Sequence, residues 1–139
     1  MDNWQLLPYD GLGELKFSQT RENIRSILGR ACRLFKKTPQ SNLSDVYDKY
    51  GLHLYYDSHD MLEFIESYQP CRPFYEQVSI LNRNVKKVIS DISKLGYTER
   101  FDSGSYFFDD LGLALYAPAS HVEAASMYKR GYYDKRVDL

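Results

Sequence analysis

Apolar positions recur along this 139-residue chain with two different periods. From 20 to 29 the period is helical. Thr20 stands as an N-cap before "RENIRSILG", Ile24, Ile27 and Leu28 share one face, and Gly29 sits where a helix ends. "RACRLF" could prolong this helix, so its end is open. A second helix is predicted from Asn82 or Asn84 to Gly96, because Val85, Val88, Ile89, Ile92 and Leu95 form one apolar stripe. Such a stripe needs a surface to cover.

The other period is two, and it occurs in two places. "DVYDKYGLHLYYD" holds two short strands around Gly51, and "MLEFIESY" at 61–68 follows the turn "DSHD". "SYFFDD", "LGLALYAP" and "VEAASMYKRGYY" follow one another from 105 to 133 in the same order. Gly51 aligns with Gly112, Leu52 with Leu113, Leu54 with Leu115 and Tyr55 with Tyr116. One residue fewer in the second turn then aligns Glu63 with Glu123 and Tyr68 with Tyr128. The expected fold is α+β, a single domain over 1–139. It comprises two degenerate repeats, about 9–70 and 74–134, each a helix plus three antiparallel strands. The sheets join with the helices on one face, and Pro70, Cys71, Arg72 and Pro73 form the linker.

Alternation also sorts side chains between faces. Leu52 and Leu54, like Leu113 and Leu115, are expected beneath the helices. His53, Tyr55 and Tyr116 then occupy the opposite face, joined by Tyr47 or Tyr106. The chain has 13 tyrosines, more than one helix layer per repeat can hide. Exposed tyrosines offer a partner large contact area with few rotatable bonds, whereas tyrosines packed across strands would only stabilise the sheet.

Charge sharpens the picture. The net charge is −1, with 43% hydrophobic and 27% charged residues, ordinary for a globular protein. Residues 14–37 carry seven Lys or Arg against two Glu, a net +5; residues 41–70 carry −5; residues 101–127 carry −4; and the ending from 128 is basic again. Internal salt bridges or a polarised surface would each produce this division. On the second reading the partner-binding set is His53, Tyr55, Asp57, Asp60, Tyr106, Asp109, Asp110 and Tyr116, an acidic rim around tyrosine anchors.

Catalytic signatures are few. His53, His59 and His121 have no metal-ligand spacing, and neither CxxC nor HExxH occurs. "SHD" at 58–60 reads as turn chemistry. "GLG" at 11–13 precedes the strand "ELKF" instead of following one, unlike a dinucleotide fingerprint. "CRLFKK" at 32–37 is too short a basic run to indicate nucleic acid. Glu63 and Glu66, like Asp109 and Asp110, pair with no nucleophile that could be recognised. No catalytic residue, metal or cofactor is expected, and no nucleic-acid or membrane partner. The N-terminus has an acid at position 2 and no basic n-region, so a cytoplasmic protein is expected, with Cys32 and Cys71 as thiols.

"GLGELKFSQTRENIRSILG", "GLHLYYD", "EFIES", "FFDDLGLALYAP" and "YKRGYYD" together resemble bacterial immunity proteins of polymorphic-toxin and contact-dependent growth inhibition systems. These have a β-lactamase-inhibitor-protein-like fold, and the resemblance spans about residues 9–134. The turn before the first helix reads Ser18-Gln19 where the family pattern has Gly-Met, and the lipobox cysteine of the related lipoproteins is absent near the start. The resemblance implies a non-enzymatic protein that occludes a cognate toxin domain, typically a basic nuclease, through an acidic, Tyr-rich surface. An intracellular adaptor for another protein is the alternative.

Overall fold

The computed structural model describes residues 3–30 and 32–136. Met1, Asp2, Ala31 and 137–139 lie outside the described residues, and with them the acid at position 2 and part of the basic ending. In chain order the elements are β1 (Leu6–Leu7), β2 (Gly11–Leu12), β3 (Leu15–Lys16), α1 (Arg21–Leu28), β4 (Arg33–Phe35), β5 (Ser44–Tyr47), β6 (Leu52–Tyr56) and β7 (Leu62–Tyr68). There follow β8 (Phe74–Tyr75), β9 (Val78–Ser79), α2 (Val85–Ser93), β10 (Arg100–Asp102), β11 (Ser105–Phe108), β12 (Leu113–Tyr116), β13 (Ala124–Tyr128) and a 3-10 turn at Tyr133–Arg136.

Both helices begin at the expected caps. The Thr20 hydroxyl accepts from the Asn23 amide at 3.1 Å, and the Asn84 side chain accepts from the Lys86 amide at 2.9 Å. α1 closes at Gly29, and "RACRLF" does not prolong it, since 33–35 is strand. α2 stops at the Lys94 cap, which leaves Leu95 exposed beyond the buried stripe of Val85, Val88 and Ile92.

The expected α+β arrangement of a helix plus three strands, twice over, is overturned. The chain is 38% strand and 15% helix, and one eight-stranded antiparallel sheet dominates it. Its order is β10-β11-β12-β13-β7-β6-β5-β4, with three-stranded (β1–β3) and two-stranded (β8–β9) sheets beside it. The strands that the pattern concealed in the large sheet are its edges. β4 and β10 are three residues each, exposed throughout, and each begins with Arg. A short charged edge resists pairing with other chains, and for the same reason it shows no alternation.

Two four-strand meanders, β4 to β7 and β10 to β13, meet where β7 pairs β13. Phe64 lies opposite Tyr128, Glu66 opposite Ser126 and Tyr68 opposite Ala124, so the pairing is symmetric about Glu66 and Ser126. One lateral row therefore crosses all eight strands: Arg33, Val46, His53, Glu66, Ser126, Ala114, Phe107, Arg100.

One face of this sheet is core. Leu52, Leu54, Leu113 and Leu115 are fully buried and cluster with Ile24 and Leu28 of α1, Val88 and Ile92 of α2, and Trp4, Leu6, Leu12 and Leu15 of the N-terminal sheet. Gly51 and Gly112 precede these leucines at φ of 70° and 63°. A Cβ at Gly51 would stand 2.1 Å from the Tyr68 carbonyl oxygen, and one at Gly112 2.9 Å from the Tyr9 ring. Left-handed backbone and close approach both require glycine there.

The division of charge along the sequence is largely internal pairing. Asp45 sits on the core face opposite Leu54 and is fully buried. Arg21 Nη1 reaches its carboxylate at 3.0 Å, and Arg25 Nε and Nη2 both reach it at 2.8 Å. Arg21 also donates to the Leu43 carbonyl oxygen at 2.6 Å and lies over the Tyr56 ring at 4.3 Å. The basic first helix and the acidic strand region are thus two halves of one cluster.

Candidate functional site

The opposite face of the sheet carries neither α-helix. In register order it presents Tyr55, Phe64 and Tyr128 in one row, then the row through Glu66, then Tyr68, Ala124, Tyr116 and Ser105. After β13 the chain turns back across it. Tyr132 lies 4.9 Å from the Phe64 ring centre, and Tyr133 lies 4.8 Å from Tyr128 and 5.5 Å from Phe107. The 36–43 loop between β4 and β5 closes the other side. Between them is a cavity of about 1050 Å³ whose lining includes Lys37, Ser44, Tyr55, Phe64, Glu66 and Tyr132.

Glu66 occupies the middle of this face on a central strand. Its carboxylate makes no hydrogen bond among the described residues, and His53 Nδ1 lies 4.0 Å from it. Burial lifts its carboxyl above the ordinary range, opposed by the Lys37 charge. His53 is held below its ordinary value, by burial first and then by the Arg33 charge. Its ring stacks on Tyr55 at 4.2 Å and meets Phe35 edge-on at 5.5 Å. Tyr55 has its phenol pushed up to about 12, again chiefly by burial.

Ser44 Oγ lies 2.6 Å from His53 Nε2, a spacing that a nucleophile and its base would share. An attacking hydroxyl must reach a substrate, however, and Ser44 is only 2% exposed, with its Oγ also 3.0 Å from the Phe35 carbonyl oxygen. The contact clasps β4, β5 and β6 together. No group of three or more His, Cys, Asp or Glu gathers for a metal among the described residues. Cys32 and Cys71 are free thiols, the second buried. No helix among the described residues is long and apolar enough to cross a membrane.

The eight residues singled out from the sequence scatter. His53 and Tyr55 do line the helix-free face. Tyr116 shares that face and is 47% exposed, but stands at the far end of the strands, two strands beyond β7. Tyr106 lies opposite Leu115 and packs on the core face, and Tyr47 lies opposite Leu52 with its hydroxyl donating to the Gly29 carbonyl oxygen at 2.5 Å. Neither belongs to the site.

The aspartates are mostly structural. Asp57 accepts from the His59 and Met61 amides and lies 3.4 Å from Lys129; Asp60 accepts from Arg21 Nε at 3.0 Å; Asp109 accepts from Arg100 at 2.8 and 2.9 Å. Asp110 is exposed. Phe64, Glu66, Tyr132 and Tyr133 were missed. Alternation along "EFIES" places Phe64 and Glu66 on the Tyr55 side, so that pair was readable; the return of the C-terminal turn across the sheet was not.

A pH experiment tests the His53 environment. The folded ring resists a proton that the unfolded chain accepts near pH 6.5, so it contributes stability that is present above about that pH and lost as pH falls. Glu66 acts with the opposite sign, since its raised carboxyl takes up a proton first in the folded state. His53→Phe keeps an aromatic stack and cannot protonate. Urea unfolding from pH 7 to 5 should lose stability less steeply in this variant than in wild type; parallel curves would show that His53 is not held neutral.

Comparison with known proteins returns no matching family model, no matching curated protein and no matching solved structure.

Proposed function

We propose that this chain is an immunity protein that binds a cognate toxin domain across the helix-free face of its large sheet and blocks the toxin by occlusion. The observation that supports the reading is the aromatic-walled cavity on that face, opposite a face wholly committed to core. Outward-facing sheet positions are ordinarily polar; this face carries Tyr55, Phe64 and Tyr116, only partly covered by the C-terminal turn and the 36–43 loop. Large rings near the centre of a contact and a polar surround are the usual composition of a binding hot spot.

The anchoring role falls to the rings. Asp57, Asp60 and Asp109 already neutralise Lys129, Arg21 and Arg100, so little of their charge is left to attract a basic partner. The test is co-expression with a toxin domain encoded immediately upstream of this chain's gene. Rescue of growth and a stoichiometric complex are expected. Tyr55→Ala or Phe64→Ala should weaken the complex by about thirtyfold, near 2 kcal/mol, mostly through faster dissociation. Asp109→Asn should leave affinity nearly unchanged. A complex indifferent to both ring truncations, or no complex, would overturn the reading.

A further inference from the structure

We infer that the cavity on the helix-free face is a socket for an arginine side chain of the partner, its guanidinium seated on Glu66 and flanked by the rings of Tyr55, Phe64 and Tyr132; this rests on the occlusion reading above.

The argument begins with which charges in the cavity are satisfied. Four acids line it. Asp57 is met by Lys129 and two backbone amides, Asp60 by Arg21 and Asn42, and Glu63 by Lys129 at 3.9 Å. Glu66 alone of the four has, among the described residues, no cation within ion-pair distance except His53, at 4.0 Å. That imidazole is held neutral by its own burial, so it supplies no countercharge at pH 7. The Glu66 side chain is 39% exposed, open to the cavity. A half-desolvated carboxylate with no cation in direct contact is unfavourable for the free protein, and a ligand cation would relieve it.

The walls specify which cation. Tyr55 and Phe64 stand edge to face at 5.4 Å, and Phe64 and Tyr132 lie at 4.9 Å. Ring faces attract cations. A guanidinium is planar, weakly hydrated and able to stack, and its fork matches a carboxylate with two parallel hydrogen bonds. A lysine ammonium has none of these matches beyond its charge. Among the described lining residues Lys37 is the one Lys or Arg, on the 36–43 loop. It opposes a second cation there and sets the direction of one test.

The full chain is titrated with N-acetyl-arginine N-methylamide while the ring resonances of Tyr55 and Phe64 are followed by NMR. The uncharged citrulline analogue and the lysine analogue are titrated in parallel. Saturable shifts with arginine are expected, at least about tenfold weaker with citrulline, and weaker with lysine. Glu66→Gln should abolish saturation while the protein remains folded, with a melting temperature at or above wild type because a strained charge is removed. Lys37→Gln should tighten arginine binding about two- to fivefold through lost repulsion. Equal shifts for arginine and citrulline, equal affinity for lysine, or an unaffected Glu66→Gln would each overturn the socket. Co-purification with the toxin is a separate readout. If the peptide arms fail while the complex forms, the socket alone is lost. If arginine binds and no complex forms, the occlusion reading alone is lost.

Discussion

Asp45→Ala is expected to destabilise the fold by about 3–5 kcal/mol, the usual consequence of removing one member of a buried ion cluster. Asp45 has no exposure, and the side chains of Arg21 and Arg25 that converge on it are 10% and 23% exposed. Removing the carboxylate leaves the Arg25 guanidinium without a countercharge and takes from Arg21 its buried one. Arg21 would keep Asp60 and the Leu43 carbonyl oxygen, but Arg25 would lose both of its hydrogen bonds to Asp45. The control is Asp48→Ala, whose partner Arg33 is exposed and salt-screened, and whose unfolding midpoint should move little. Chemical denaturation of both variants decides the matter. Equal midpoints would mean that the cluster does not hold α1 on the sheet.

Leu54→Ala and Leu115→Ala should each cost roughly 2–5 kcal/mol, from lost transfer energy and the cavity left behind. Both leucines are fully buried, on strands covered by the common core. The more exposed Leu34 and Leu95, at 55% and 45%, supply the comparison, since truncating them removes little buried area. Denaturant titration measures all four. Comparable losses at Leu34 and Leu54 would contradict the burial of Leu54 in the common core.

Much of the interior was legible because it depends on short-range rules. The strict alternation in "GLHLYY" and "GLALYA" placed four leucines inward, and the caps at Thr20 and Asn84 marked both helix starts. What failed needed a non-local partner. Tyr106 sits in a short aromatic run, "SYFF", whose inward side is decided only by its register opposite Leu115. Asp45 reads as a surface acid until Arg21 and Arg25, 24 and 20 residues earlier on α1, are brought to it. The edge strands β4 and β10 escaped notice because charge at an edge erases the pattern that identifies a strand. At the site, Tyr55 and His53 followed from alternation. The unmatched charge of Glu66 could not, because a carboxylate is known to be unpaired only once every neighbour's commitments are known.

The symmetric seam between β7 and β13 has a kinetic consequence. Every other pairing in the large sheet joins consecutive strands and closes a short hairpin loop. The seam brings Tyr68 to Ala124 and Phe64 to Tyr128, closing a loop of about sixty residues. Loop-closure entropy grows as the logarithm of length, so this step costs about 1.5 kcal/mol more than closing a ten-residue hairpin. Topology therefore orders assembly: two meanders zip locally, and the junction between them is the entropically steepest step. Glu66 lies in that junction, with Tyr55 and Phe64 contributed by the first meander and Tyr132 by the chain that follows the second. A nascent chain acquires its socket only when synthesis has passed residue 132, and no fragment ending earlier can display it.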